Sequence, residues 1–124
     1  MAALESVGLG AVLERVGGLD TTRDWAAELS PGEQQRLSMA RLLAGRPSLA
    51  FLDEATSALD LNLEAMVYSA LRERRGTTVV SVGHRPSLLQ FHTHVLSCEH
   101  TAREDAPASW RWQTVAEYKQ RTNQ

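Results

Sequence analysis

Two adjacent carboxylates and one histidine stand where a folded sheet could bring them together. Asp53 and Glu54 directly follow a short apolar run at residues 49–52, and His84 follows a β-branched run at residues 77–82. If both runs form parallel strands, their carboxyl ends meet at one edge of a sheet, which is where open α/β sheets bind ligands. One acid can hold the water shell of Mg²⁺ while the other activates a water molecule. A nearby histidine can donate to a phosphate oxygen, so the three side chains are candidates for phosphate chemistry.

A second candidate site lies at the start of a predicted helix, residues 30–44. Ser30 can cap this helix, Pro31 suits its first position, and Glu33 completes a capping box. The free N–H groups and the positive dipole end of a helix attract anions, and Gly32 has no side chain to block a phosphate. The carboxylate of Glu33 opposes an anion here unless it folds back onto the cap.

Each of these features also has a purely structural interpretation. A capping box usually marks only the start of a helix, and acids after a strand commonly cap the next helix. His92 and His94 are spaced like a metal pair but are expected at the surface, since no further ligand cluster lies near them. Trp25, Trp110 and Trp112 are expected to pack rather than to stack on bases. The order and spacing of the features together favour a catalytic site over a purely structural role.

The elements that would position these residues are a strand, a helix and a strand. Residues 49–52 and 77–82 predict strands buried on both faces, and residues 61–74 have the apolar spacing of a helix that Gly76 closes. This order predicts parallel pairing with a right-handed crossover. The other predicted elements are a helix at 4–16, a loop at 19–28, a helical turn at 87–91, a strand at 94–97, a loop at 101–109, a strand at 110–115 and a terminal helical turn.

Composition excludes several classes of protein. The chain has 124 residues, enough for one domain, and its apolar and charged fractions of 43% and 23% are ordinary for a globular protein. The net charge of -2 argues against nucleic acid as the main partner. The single cysteine, Cys98, excludes an internal disulfide, and no apolar run approaches the roughly 20 residues that span a bilayer.

Four runs of residues resemble the motifs of ATP-binding cassette (ABC) nucleotide-binding domains. The run LSPGEQQR at 29–36 resembles the signature motif, and LAFLDE at 49–54 resembles Walker B with its catalytic glutamate. The run SALD at 57–60 resembles the D-loop, and SVGHR at 81–85 resembles the segment of the switch histidine. Because these runs keep the order and spacing of the family, the chain is identified as a member that covers the C-terminal half of the domain.

The resemblance implies an α/β fold, part of the P-loop NTPase type found in ABC ATPases. A parallel βαβ core and the signature helix of the helical subdomain are expected, without the half that carries Walker A. The expected divisions are the end of the helical subdomain at 1–28, the core from signature to switch histidine at 29–98 and a C-terminal tail at 99–124.

The resemblance also implies ATP and Mg²⁺ as cofactors and assigns roles in hydrolysis. Asp53 would hold Mg²⁺ through its water shell, and Glu54 would act as the general base. His84 would bind the γ-phosphate and sense hydrolysis, and Asp60 would reach across the interface between two cassettes. The implied partners are a second cassette and transmembrane domains, with no nucleic acid.

The signature residues would serve the ATP that is bound to the opposite cassette. Ser30, Gly32 and Gln34 would contact its γ-phosphate. Pro31 and Glu33 stand where the usual motif has a glycine and its glutamine. The role of that glutamine is therefore assigned to Gln34, one residue later in the sequence.

Within the family, the sequence resembles subfamily D, the peroxisomal and lysosomal half-transporters, and their bacterial relatives. This likeness rests on DW at 24–25, HRPSL at 84–88 and FHTH at 91–94. Subfamily D moves fatty acyl-CoA esters or, in one branch, cobalamin, and the residues leave both open. The implied location is the cytosolic face of a peroxisomal or lysosomal membrane in a eukaryote, or of the inner membrane in a bacterium.

The sequence contains no P-loop, the motif G-x-x-x-x-G-K-[ST] that cradles the phosphates of ATP. Lys119 is the only lysine, and it follows Ala-Glu-Tyr. We therefore expect part of a longer transporter that hydrolyses ATP when intact and is inactive as this chain alone. Two alternatives stay open: a piece of a non-transport ABC ATPase, and a short regulatory module that docks on a complete cassette.

Overall fold

The computed structural model describes residues 1–74, 76–99 and 109–123, so most of the predicted loop at 101–109 lies outside the described part. The chain divides into two compact units, Met1–His84 and Arg85–Gln124, and each is described by itself. The first unit contains α1 Ala2–Glu5, α2 Gly10–Val16, α3 Trp25–Glu28, α4 Pro31–Gly45, β1 Leu49–Asp53, α5 Leu61–Glu73 and β2 Thr78–Val82. The second contains a 3₁₀ helix Pro86–Phe91, β3 His94–Glu99, β4 Ser109–Thr114 and α6 Val115–Thr122. In the described ranges, no helix has the length and apolar character needed to cross a membrane.

The N-terminal region departs from the prediction because a glycine interrupts it. The single helix predicted at 4–16 is two helices, α1 and α2, and Gly8 between them has a left-handed φ of 69°. A Cβ at this position would also lie 2.9 Å from Met66 Cε, the end of a flexible side chain that can move, so it is the backbone conformation that favours glycine here. The predicted loop at 19–28 includes the short helix α3.

Helix α4 begins as its sequence predicts. The Ser30 hydroxyl accepts from the Glu33 N–H at 3.2 Å, and the Glu33 carboxylate accepts from the Ser30 N–H at 2.9 Å. Pro31 occupies the first turn, where a missing N–H costs nothing. The helix ends at Gly45 and is capped by Arg46, which has a left-handed φ of 49° and is followed by Pro47. The capping box predicted from two residues therefore fixes the start of this helix.

Strands β1 and β2 pair in parallel, as the strand–helix–strand order predicts. Their register runs from Leu49 opposite Thr78 to Asp53 opposite Val82. Helix α5 connects them and is joined to β2 by a hydrogen bond of 2.8 Å between the Tyr68 and Ser81 hydroxyl oxygens. The mixed α/β class with a parallel sheet is confirmed.

The prediction that both strands are buried on both faces is wrong. Along β1, Ala50 and Leu52 are buried, but Phe51 between them exposes 74% of its surface. Val80, which pairs with Phe51, is exposed as well. Since strand side chains alternate between two faces, an apolar run cannot reveal that only one face is covered. The first unit thus presents one bare apolar face.

The second unit is an antiparallel pair of strands followed by a helix. β3 pairs with β4 from His94 opposite Thr114 to Glu99 opposite Ser109. The terminal helical turn is the longer helix α6, which a second capping box, formed by Thr114 and Glu117, begins. Trp110 is largely exposed, so the expectation that it packs is wrong. Trp112 is also exposed and stacks on the His94 ring, with centroids 4.9 Å apart.

Candidate functional site

Asp53 and Glu54 lie at the carboxyl end of β1. Asp53 is exposed and pairs with Val82, the last residue of β2. The Glu54 N–H extends this pairing by donating to the Val82 carbonyl at 3.0 Å. Glu54 then adopts a left-handed φ of 48°, a conformation rare for a residue with a large side chain. This backbone turn directs the chain away from the sheet and leaves both carboxylates at its edge.

The His84 side chain meets the Glu54 carboxylate. Nε2 of His84 lies 3.2 Å from Oε1 of Glu54. The histidine side chain is 92% exposed and the glutamate side chain 42%, so both can be reached from solvent. The predicted convergence of Glu54 and His84 therefore exists in the fold, on one accessible edge. A carboxylate in this place can take a proton from water, and the imidazole can hold its orientation.

The turn from Glu54 to Asp60 is held by its own hydrogen bonds and by α5. The Ser57 N–H donates to the Glu54 carbonyl at 3.1 Å. Asp60 caps α5, because its Oδ1 accepts from the Leu63 N–H at 2.9 Å. Within this chain, the contact seen for Asp60 is thus a helix cap.

A buried polar pair anchors the same turn to α5. The Thr56 hydroxyl donates to the Glu64 carboxylate at 2.9 Å, and the two residues are 3% and 1% exposed. Neither residue is predicted from the sequence to belong to the site. The sequence does contain one signal of the pair, because Glu64 lies within the apolar stripe of the amphipathic helix α5.

Gly32 brings the start of α4 against this turn. A Cβ at Gly32 would lie 3.2 Å from the Ala58 carbonyl oxygen, closer than most such contacts. Pro31 has no N–H and the Glu33 N–H is used by the cap, so this helix end can offer the Gly32 N–H to an anion. The exposed Ser30 hydroxyl accepts in the cap and keeps its own hydrogen to donate.

The Glu33 carboxylate folds back onto the cap, where it accepts from the Ser30 N–H. This is the condition that the sequence sets for an anion to bind at this helix end. The two carboxylate oxygens of Glu33 also accept from Arg15 Nη1 and Nη2, both at 3.1 Å. The Arg15 guanidinium and the Ser30 N–H lower the pKa of Glu33 below its usual 4.5. Its negative charge is therefore matched by Arg15 rather than directed at an approaching anion.

The two glutamines that follow have different partners. Gln34 Nε2 donates to the carbonyls of Ala26 at 3.1 Å and Leu29 at 2.9 Å, so its amide points back toward α3. Gln35 instead contacts the Glu54 turn through both ends of its amide. Gln35 is not predicted from the sequence to belong to the site, although it lies three residues after Gly32 and hence on the same helix face.

The residues available for a metal are the two acids at the end of β1. In the ranges that the structure describes, no group of three or more His, Cys, Asp and Glu side chains could hold an ion. Asp53 is exposed and the Glu54 side chain is 42% exposed, so their carboxylates suit Mg²⁺, which keeps several waters and uses one or two carboxylates beside substrate phosphates. His92 Nδ1 lies 2.9 Å from the Leu88 carbonyl oxygen, and His94 is exposed.

Two comparisons with known proteins point to one family. The family described as ABC transporter matches residues 3–57, which include α4, β1 and Glu54. The chain is similar to ABC transporters over most of its length. It is 44% identical, over 93% of its length, to the chloroplastic ABC transporter D family member 2 of Arabidopsis thaliana. It is 47% identical over 91% of its length to an uncharacterized ABC transporter ATP-binding protein of Synechocystis sp..

A third ABC transporter relative has a name that includes a substrate. The chain is 52% identical, over 75% of its length, to the lysosomal cobalamin transporter ABCD4 of Mus musculus. The chain spans 16% of the length of each of these three relatives. Relatives named as D family members confirm the likeness to subfamily D that the sequence indicated.

Proposed function

We propose that this chain is the part of an ATP-binding cassette, from signature to switch histidine, that completes ATP hydrolysis in a subfamily D transporter. The observation that carries the proposal is the pairing of Glu54 with His84 at 3.2 Å, beside Asp53, at the end of two parallel strands. Hydrolysis in the intact transporter powers movement of a substrate across a membrane.

In this proposal Glu54 is the general base. Its carboxylate orients a water molecule and takes its proton as the water attacks the γ-phosphate of ATP in line. His84 holds the carboxylate in place and donates to a γ-phosphate oxygen. Asp53 would hold Mg²⁺ through its water shell, and the ion would neutralise charge on the phosphate oxygens.

The start of α4 serves the ATP of an opposite cassette. The Ser30 hydroxyl and the Gly32 N–H are its donors to the γ-phosphate, aided by the positive end of the helix dipole. Gln34 joins them only by releasing the carbonyls of Ala26 and Leu29, which its amide binds in this structure. Asp60 reaches across the interface between the two cassettes.

The remaining parts of the transporter are proposed to lie outside these residues. A P-loop elsewhere in the cassette cradles the phosphates, since the only lysine here, Lys119, lies in α6. A second cassette and transmembrane domains complete the transporter, and the cassettes lie at the cytosolic face of the membrane. Cobalamin, which the name of one relative contains, and fatty acyl-CoA esters are the proposed substrates.

The proposal is tested by Glu54→Gln in the assembled transporter. Loss of the base should slow ATP turnover by roughly 10²- to 10⁴-fold while nucleotide stays bound, because binding does not use this carboxylate. Turnover is measured by phosphate release and occupancy by retained radiolabelled ATP. The control is Glu14→Gln, at an exposed glutamate of α2. Near-normal turnover of the Glu54 variant would remove it as base.

A further inference from the structure

The side chain of Gln35 joins the signature helix α4 to the turn that carries Glu54. Its Nε2 donates to the Glu54 carbonyl oxygen at 3.2 Å and to Ser57 Oγ at 2.9 Å. Its Oε1 accepts from the Ala58 N–H at 2.9 Å. An amide side chain has two N–H donors and one acceptor oxygen, so both donors and the oxygen of Gln35 are engaged with one turn.

The Glu54 backbone requires such support. Its left-handed φ of 48° is a conformation that a residue of this kind keeps only when the surrounding structure imposes it. On one side, the Glu54 N–H is fixed to the Val82 carbonyl of β2 at 3.0 Å. On the other side, its carbonyl accepts from the Gln35 amide at 3.2 Å and from the Ser57 N–H of the same turn at 3.1 Å. Since the direction of a side chain follows its backbone, these bonds set the approach of the carboxylate to His84.

We propose that Gln35 is a positioning residue that fixes Glu54 to the signature helix. Gly32, three residues before Gln35, lies against the Ala58 carbonyl of the same turn, so the start of α4 and the turn move as one piece. A shift of α4 when its start binds the ATP of the opposite cassette therefore displaces the base of its own site. This inference rests on the proposed role of Glu54 and of the signature helix.

The test replaces Gln35 by methionine, which keeps the length of the side chain and removes its three hydrogen bonds. In the assembled transporter, Gln35→Met should lower kcat for ATP hydrolysis about ten- to a hundredfold, since small misplacement of a reacting group has effects of this size. KM for ATP should stay within about twofold, because ground-state binding does not use the turn. Gln35→Glu keeps the acceptor for the Ala58 N–H and should recover part of the loss.

The matched control is Ser38→Ala, on the same helix. Ser38 is exposed, and its hydroxyl donates to the Gln34 carbonyl of α4 at 3.1 Å. This variant should hydrolyse ATP at the wild-type rate. A positioning role also predicts that Gln35→Met slows a Glu54→Gln transporter no further, since the two residues act as one unit. Additive losses, or a raised KM with unchanged kcat, would overturn the proposal.

Amide hydrogen exchange in the 124-residue chain supplies a measurement that needs no ATP. Exchange at Ala58 should accelerate in Gln35→Met and stay at the wild-type rate in Ser38→Ala. Unchanged exchange at Ala58 in Gln35→Met would overturn the proposal, and Gln35→Ala, which also removes the acceptor for the Ala58 N–H, is judged by the same criterion if the methionine variant does not fold. If the wild-type transporter hydrolyses no ATP, the proposed function fails. If it hydrolyses ATP and Gln35→Met matches it, only the positioning role fails.

Discussion

Glu33 is the acidic residue at the signature end of α4, and its partners decide whether an anion can approach. The carboxylate accepts from two nitrogens of Arg15 and from the Ser30 N–H. The hydrogen bonding with the Arg15 guanidinium is the main reason that the pKa of Glu33 lies below 4.5. Glu33 is therefore ionised and paired at neutral pH, and the helix end keeps its attraction for a phosphate.

The same pairing makes the stability of this helix start depend on pH. Because the folded-state pKa is lowered, the contribution is complete above the usual value of 4.5 and is lost as the pH falls through the folded-state pKa. A carbon-13 NMR titration of the Glu33 carboxyl should give a midpoint below 4.5, and Arg15→Ala should raise it. The control is Arg23→Ala, which removes the ion pair with Glu28 instead. A midpoint that ignores Arg15 would show that the ion pair does not form.

Among the elements, α5 carries the turn of the candidate site on a buried polar contact. Thr56 and Glu64 are both buried, and their hydrogen bond of 2.9 Å links the turn after β1 to the first half of α5. Asp60, between them in sequence, caps the same helix. The turn that holds Glu54 is thereby fixed to α5 as well as to α4.

Removing the Thr56 hydroxyl should destabilise the first unit. Thr56→Val keeps the side-chain shape but takes one donor from a buried carboxylate, which costs roughly 1–3 kcal/mol. Urea unfolding followed by circular dichroism measures the loss, and Thr22→Val, at an exposed threonine, is the control. If both variants unfold at the wild-type urea concentration, the Thr56–Glu64 bond contributes nothing to stability.

The elements that sequence predicts well have local signals. Ser30 and Glu33 are three residues apart, and their capping box marks the start of α4 within one residue. Apolar runs separated by a helical stretch predict the parallel βαβ unit, because two strands joined by a crossover helix pair in parallel. The acids and the histidine at the strand ends follow from that topology.

What the sequence does not predict depends on partners far along the chain. Gln35 binds a turn that begins 19 residues later, and no local pattern names that partner. The Glu33–Arg15 pair joins α4 to a helix placed by the fold, 18 residues away in sequence. The exposed apolar face that includes Phe51 could not be predicted for another reason. A fully apolar run does not show which of its two faces is covered.

For the whole molecule, the exposed apolar face of β1 and β2 is the main surface expected to cause self-association. Leu49, Phe51, Val80 and Val82 are exposed on these two strands. Exposed apolar patches and open strand edges favour association. The chain by itself should therefore associate with itself at rising concentration.

Phe51→Ser should reduce this association without unfolding the chain. The side chain is 74% exposed, so stability should change by no more than about 0.5 kcal/mol. Sedimentation velocity over a range of concentrations measures the effect. Leu61→Ser, at an exposed leucine that begins α5, is the control. Equal effects of both substitutions would mean that the sheet face is not the contact surface.

These residues are proposed to complete an ATPase site whose phosphate cradle is supplied elsewhere. Phosphate release from Mg-ATP tests this most directly, measured for the 124-residue chain alone and for the chain joined to the P-loop half of a subfamily D cassette. We expect the chain alone to release no phosphate above buffer, and the joined protein to hydrolyse ATP in a way that Glu54→Gln abolishes. Hydrolysis by the chain alone, or hydrolysis by the joined protein that survives Glu54→Gln, would contradict the claim.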